Sequence, residues 1–230
     1  MMMEEGFRRL QERFSDPLLT ALTILIAILL FVVAPLQVAG AISEHYVGLV
    51  FVVILILAAF TLSGSRVALG AIAVAIALIV VAVALEFQRP SIVDIYLDAI
   101  AWLIAGLTLS TVVARAVFAP GKVTFHRIIG AVLLYLGIGW IFVGLFSFVA
   151  LLVPDAFKGF GSSQENFIAT AGNLIYFSFV TLTTTGYGDI SPVHPYARSL
   201  ATLEAIIGQL YPAILLARLV TLELEDRHIS

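Results

Sequence analysis

The sequence predicts an all-α integral membrane protein with six membrane-spanning helices and one further helix that enters the membrane without crossing it. The first reason is composition: of 230 residues, 61% are hydrophobic and 12% are charged, and the mean hydropathy is +1.10, which lies outside the range of soluble globular proteins. The second reason is length, because a membrane-spanning helix needs about 20 apolar residues and the sequence offers such runs repeatedly. The third is a polar stretch, Thr181–Asp189, between the last two runs.

The predicted spans follow one another with short polar connections. We place them at Leu18–Ala39, Tyr46–Ser63, Val67–Leu85, Ile92–Phe118, Arg127–Val153 and Tyr196–Thr221. Pro120 and Gly121 break the helix after the fourth span and mark the clearest internal boundary. We therefore expect an N-terminal tail (1–16), a peripheral four-helix domain (17–120), a second domain that contains the polar stretch (121–222) and a short C-terminal tail (223–230).

The distribution of basic residues predicts the orientation. If the N-terminus is cytoplasmic, nine of the twelve Lys and Arg residues lie on the inner side and three on the outer side, in agreement with the positive-inside rule. Six spans then return the C-terminus to the cytoplasm, and the Asp189 end of the polar stretch faces outward. The chain has no cysteine and its four histidines are far apart, so we expect no disulfide, no enzyme activity and no nucleic-acid partner.

The polar stretch has the composition of a backbone that can bind a cation. Gly186 and Gly188 stand at alternate positions, and glycine adopts positive φ at little cost, so successive carbonyl oxygens can turn to one side. Thr184 adds a hydroxyl oxygen to its own carbonyl oxygen. A segment of helical length, Phe167–Thr183, precedes the stretch and would direct the negative end of its dipole towards the cation.

The residues Thr184-Thr185-Gly186-Tyr187-Gly188 resemble the selectivity filter of potassium channels, whose four T-V-G-Y-G loops are the established example of carbonyl oxygens that replace a hydration shell. Thr185 stands where valine is commoner. The plan of the chain is similar to the six-transmembrane potassium channel family of prokaryotic type. This resemblance implies that Phe167–Thr183 is a pore helix, that 121–222 is a pore domain, and that four copies surround one pore. It implies no cofactor except K+ ions, held at Thr184, Thr185, Gly186 and Tyr187.

Residues next to the filter motif are candidates to support it. Val180 occupies a position at which some potassium channels carry a glutamate, so a carboxyl pair with Asp189 is excluded. Thr181 and Tyr176 are then the candidates to hold the filter from behind. The Tyr176 hydroxyl either reaches Asp189 or belongs to a ring that is simply packed.

The sixth span carries candidates for gating and for the cavity. Gly208 lies 20 residues after Gly188, the separation at which potassium channels carry a hinge glycine, and Pro212 weakens the helix one turn later. We predict a gating hinge there; the alternative is a tightly packed glycine and a static kink. Gln209 is the polar residue expected to face cavity water. Glu204, an acid within an apolar span, either bonds to the pore helix or attracts cations into the cavity.

The fourth span indicates that voltage does not gate the channel. Voltage-sensing members of the superfamily carry arginine there at every third position, whereas this span has Arg115 alone, at its inner end. A charge at the interface crosses little of a field that supplies about 2.3 kcal/mol per elementary charge and 100 mV. Modulator or proton-sensing roles are conceivable for other polar residues, but we interpret these as solvated or interfacial side chains: Asp94, Asp98, His126 and His194.

We therefore predict a voltage-independent, potassium-selective channel that conducts K+ passively as a homotetramer. It would lie in the lipid bilayer of a plasma membrane, the inner membrane of a prokaryote, with both termini in the cytoplasm. A weakly selective monovalent cation channel and a non-conducting membrane scaffold or sensor subunit are the alternatives. Because the predicted tails are short, gating is expected to arise in the membrane part, in the N-terminal tail or from a partner.

Overall fold

The protein is mostly helical in a computed structural model that describes residues 20–39, 41, 53–57, 66–86, 92–118, 125–160 and 167–229. In chain order the helices are α1 (20–28), a π-helical turn (Leu29–Val33), α2 (Ala34–Val38), α3 (53–57), α4 (Arg66–Glu86), α5 (Ile92–Val117), α6 (Phe125–Leu152), α7 (Phe167–Leu182) and α8 (Pro195–Ile229). A two-stranded antiparallel sheet joins β1 (Phe157–Lys158) to β2 (Ser191–Pro192), with Phe157 opposite Pro192 and Lys158 opposite Ser191. The sequence did not predict this sheet.

Two of the described helices are long and apolar enough to cross a membrane, over Ile128–Leu152 and Pro195–Arg218. They correspond to the fifth and sixth predicted spans. Helices also cover the predicted third and fourth spans, but the apolar stretches within their described residues are shorter, at Leu69–Val81 and Ala99–Arg115. The second predicted span is described only at 53–57. Six spans therefore remain a prediction.

Helices α5 and α6 pack along a regular row of glycines, called here the glycine seam. Gly130, Gly137 and Gly144 of α6 repeat every seven residues, and each faces a side chain of α5 so closely that an added Cβ atom would lie only 2.6–3.3 Å away. The facing side chains also repeat every seven residues, in the opposite direction: Val117, Ser110 and Leu103. A repeat of seven is the spacing of coiled-coil contacts, and small residues allow membrane helices to approach closely. The seam therefore fixes the antiparallel register of α5 on α6.

An aromatic cluster holds the loop after α6 against α7. Phe146 of α6 is fully buried, and its ring meets Phe157 of β1 edge-on at 5.8 Å and Phe177 of α7 edge-on at 5.0 Å. Phe157 and Phe177 also meet edge-on, at 5.4 Å. Such pairs contribute roughly 0.5–1.5 kcal/mol each beyond the area that they bury. The cluster therefore fixes α7 and the sheet to α6.

The first helices of the chain also reach α7. The ring of Phe31, in the π-helical turn, meets Phe179 of α7 edge-on at 5.8 Å. Trp102 of α5 stacks on Trp140 of α6, with ring centroids 4.5 Å apart. Within one chain, the N-terminal helices thus contact the same α6–α7 unit that precedes the filter motif.

Candidate functional site

Backbone carbonyls at the end of α7 hold the start of the filter motif. The amide of Thr184 donates to the carbonyl of Thr181 at 2.9 Å, and the amides of Thr185 and Gly186 donate to the carbonyl of Val180 at 2.9 and 3.4 Å. The last four carbonyls of a helix have no partner within the helix, so the motif supplies donors that α7 lacks. Thr181 and Val180 thus support the motif through main-chain oxygens, which their side-chain identity does not reveal.

The backbone of the motif alternates in handedness. Thr184, Gly186 and Gly188 have φ of 56°, 59° and 81°, whereas Thr185 and Tyr187 between them are not in the positive-φ region. In an ordinary strand successive carbonyls point to opposite sides. Reversing the handedness at every second residue brings them to the same side. This is the backbone geometry that a row of carbonyl ligands requires.

Thr184 is the unusual member of this row. A β-branched residue at positive φ is a genuine outlier, and such a conformation costs of order 1–3 kcal/mol and is found mostly at functional sites. Its hydroxyl donates to the carbonyl of Thr183 at 2.7 Å and accepts from Nε2 of Gln209 at 2.6 Å. A hydroxyl oxygen has two acceptor lone pairs, so one remains free for a cation. Gln209, predicted to face the cavity, thus lies beside the innermost residue of the motif.

The hydroxyl of Thr185 has a defined partner behind the motif. Its Oγ1 lies 2.9 Å from Oγ1 of Thr183, which also donates to the carbonyl of Phe179 at 2.7 Å. Because Thr183 uses its proton on that carbonyl, Thr185 is the donor between the two hydroxyls. The threonine that replaces valine in this motif is therefore tied to the end of α7.

The Asp189 end of the motif lies against α7 and against the loop that follows β1. The ring of Tyr187 is 71% exposed and is parallel to that of Tyr176, with centroids 6.3 Å apart. Partial desolvation and then the side-chain hydrogen bond with Asp189 raise the pKa of the Tyr176 hydroxyl. Gly159, which follows β1 with φ of 101°, lies so close that a Cβ atom there would overlap the Asp189 carbonyl. Tyr176 and the loop after β1 therefore both contact Asp189.

Gly208 brings α8 into direct contact with the end of α7. A Cβ atom at this position would overlap the carbonyl oxygen of Leu182 and lie 2.8 Å from its carbonyl carbon. The same oxygen accepts from the hydroxyl of Tyr135 at 3.2 Å. This contact corresponds to the tightly packed glycine that was the alternative to a hinge. Pro212 lies inside α8, which is helical over Pro195–Ile229, and the hinge role of the two residues stays a prediction.

Glu204 is buried between helices and does not line an open cavity. Its side chain is 0% exposed, and its Oε1 lies within hydrogen-bond distance of Oγ of Ser178 on α7, at 2.5 Å. The predicted cavity position is therefore corrected: of the two roles that the sequence allowed, the structure places Glu204 in contact with α7. A buried acid needs a polar partner, and Ser178 supplies it. Sequence reasoning missed Ser178 and Tyr135, whose only signal was a hydroxyl within an apolar helix.

The C-terminal part of α8 is joined to the end of α5. The guanidinium of Arg218 donates to the carbonyl of Phe118 and lies 5.2 Å from the centroid of its ring, a cation–π distance. Arg115, the basic residue of the predicted fourth span, is exposed near the same end of α5. At the other end of α8, Nδ1 of His194 accepts from the amide of Tyr196 at 3.4 Å. The side chains of Asp94, Asp98 and His126 lie outside the described residues.

Comparison with known proteins gives a match to the part of the chain that contains the filter motif. A family model described as ion channel matches residues 131–224. Protein LctB of Geobacillus stearothermophilus is 36% identical over 59 residues, which are 26% of this chain and 43% of LctB, so the match spans less than half of that relative. No solved structure matches significantly. With two helices suited to crossing a bilayer, the chain is a membrane protein, and its residues 131–224 are similar to the ion channel family.

Proposed function

We propose that the chain is the subunit of a potassium-selective channel in which four copies place their filter motifs around one axis. The observation that carries the proposal is the alternation of φ at Thr184, Gly186 and Gly188. It gives a short row of carbonyls that can face one side without side chains in the way, as the replacement of a potassium hydration shell requires. K+ would be held at Thr184, Thr185, Gly186 and Tyr187, and no other cofactor is proposed.

The exposed faces of a single chain support assembly into a closed ring. Residues 183–189 are all exposed, although one row of carbonyls cannot surround an ion. Large apolar side chains of α8 are also exposed and recur at helical spacing: Leu203, Ile206, Leu210 and Ile214. Four-fold symmetry would bring the motifs together and cover part of this face. A homotetramer is thus the smallest assembly that completes the proposed site.

The proposal includes passive, voltage-independent conduction. The described part of α5 carries one basic side chain, Arg115, which is exposed at the end of the helix. The glycine seam also packs this helix tightly on α6. A single terminal charge on a closely packed helix offers little energy to a voltage-driven movement.

The reversal potential in a planar bilayer, with K+ on one side and Na+ on the other, tests the proposal. We expect reversal near the potassium equilibrium potential for the wild type. Gly186→Ala should abolish selective current, because alanine is strained at φ of 59° even though nothing lies within 4 Å of an added Cβ atom. Gly70→Ala is the matched control, since its surroundings are equally open but its conformation is helical.

The same measurement separates the alternatives. Reversal near zero in the wild type, restored towards the potassium value by Thr185→Val, would indicate a weakly selective cation channel whose filter is loosened by Thr185. Absence of current in the wild type across all tested voltages and pH values would contradict conduction and favour a scaffold or sensor subunit.

A further inference from the structure

Two contacts in register join the pore helix α7 to the inner helix α8. Ser178 meets Glu204, and Leu182 meets Gly208, four residues later on both helices. The two helices therefore run in the same direction along this stretch, with one helical turn between the contacts. The contact between Leu182 and Gly208, called here the lower contact, is made by backbone. The contact between Ser178 and Glu204, the upper contact, depends on a carboxyl group.

The hydrogen-bond geometry at Ser178 requires a second proton. Its Oγ lies 2.5 Å from Oε1 of Glu204 and 2.9 Å from the carbonyl oxygen of Gly139 on α6. A serine hydroxyl has one proton, and a carbonyl oxygen can only accept. An ionised carboxylate would leave one of these two contacts without a proton. A protonated carboxyl satisfies both, because Glu204 then donates to Ser178 and Ser178 donates to Gly139.

The surroundings of Glu204 also oppose a charge. The side chain is fully buried, and within the described residues its Oε2 has no hydrogen-bond partner. Ser178 on α7 contacts the carboxyl, and Tyr135 on α6 lies close enough to interact with it; Tyr135 is the titratable group of the two. No Lys, Arg or His side chain acts on the carboxyl in the part of the chain that the structure describes. An unpaired carboxylate in such a place loses its hydration without compensation.

We propose that Glu204 is a positioning residue that carries a proton and, through Ser178, fastens the inner helix to the pore and outer helices behind the filter. Loss of the proton leaves the single proton of Ser178 to serve two acceptors, Glu204 and the carbonyl of Gly139, and places a bare charge between the helices. One of the two contacts of Ser178 is then lost, so α8 is no longer fastened through Ser178 to both α7 and α6. The effect on conduction rests on the proposed function, whereas the protonation of Glu204 does not.

Infrared difference spectroscopy of the purified full-length protein in lipid vesicles tests the protonation directly. At neutral pH the wild type should show the carbonyl stretch of a protonated carboxylic acid, and Glu204→Gln should lack it. Ser178→Ala should shift this band, because the acid loses its acceptor. A wild-type spectrum identical to that of Glu204→Gln in this region would mean an ionised Glu204 and would overturn the proposal.

Potassium efflux from vesicles, measured over a pH series, tests the positioning role. Above the titration midpoint the protonated fraction falls about tenfold per pH unit, so wild-type efflux should fall as the pH rises. Glu204→Gln, whose amide can donate to Ser178 at any pH, should keep the efflux constant, and Glu204→Ala should lower it throughout. Thr202→Ala is the control on the same helix, because Thr202 is exposed and, among the residues that the structure describes, its hydroxyl bonds to the carbonyl of Arg198 in its own helix; it should follow the wild type.

The outcomes separate this proposal from the proposed function. A glutamine variant as inactive as the alanine variant, or one that fails to fold, would overturn the positioning role. If no protein, wild type included, passes K+, the proposed function fails, and the infrared comparison still decides whether Glu204 is protonated.

Discussion

Replacing Gly208 with alanine separates the packed role of this residue from its predicted role as a hinge. The added Cβ atom would overlap the Leu182 carbonyl oxygen and lie 2.8 Å from the carbonyl carbon and 3.1 Å from Cα. Carbon atoms in contact stay about 3.5 Å or more apart, so α8 would have to move by at least about 0.7 Å behind the filter. Overpacking of this kind costs about 1–3 kcal/mol, whereas alanine gains roughly 1 kcal/mol over glycine in a helix interior.

The balance predicts a loss of up to about 2 kcal/mol per subunit for Gly208→Ala, multiplied in an assembly of several copies. The assay is the apparent melting temperature of the purified protein in lipid, together with its reversal potential. Gly70→Ala serves as the control, because nothing lies within 4 Å of its added Cβ atom and it should be neutral or stabilising. If Gly208→Ala proves as stable as this control while only its open probability falls, the packing argument is refuted and the hinge alone explains the glycine.

Two further substitutions test one contact of α7 and one contact of the glycine seam. Tyr176→Phe should speed the decay of current under sustained activation, because it removes the hydroxyl that bonds Asp189. The pKa of that hydroxyl is raised. The wild type should therefore keep the bond at neutral pH and lose it only in strongly alkaline solution. An unchanged decay rate would mean that the ring is merely packed. Gly137→Ser should lower the melting temperature by overpacking against Ser110, at a cost of about 1–3 kcal/mol, and the reciprocal exchange with Ser110→Gly should restore much of it; equal melting temperatures for the single and double variants would contradict the seam.

Long apolar runs made most of the helices predictable. The third span was expected at Val67–Leu85 and the helix covers Arg66–Glu86, and the fifth was expected at Arg127–Val153 and the helix covers Phe125–Leu152. Polar and proline-containing breaks limit such runs, so their ends are local properties of the sequence. The same is true of the filter motif, because the spacing of Gly186 and Gly188 dictates where positive φ is cheap.

Contacts between helices were not predictable in the same way. Glu204 and Ser178 are 26 residues apart, on two helices whose sequence pattern does not say which faces meet. The sequence left two roles open for Glu204 for this reason, and a hydroxyl at 178 was too weak a signal to choose between them. The two-residue strands β1 and β2 were missed because pairing of such short segments depends on the fold around them and leaves no alternating pattern.

The glycine seam has a mechanical consequence for the peripheral helices. The three seam glycines of α6 each receive one side chain of α5: Val117, Ser110 or Leu103. Sliding α5 by one helical turn, about 5.4 Å, would lift all three side chains off these glycines at once and press them against larger residues. The pair is therefore held in one register. A force applied to α5 would tilt α6 together with it. Arg218 joins α8 to Phe118 at the end of α5. A tilt of α5 and α6 would therefore act on α8 as well.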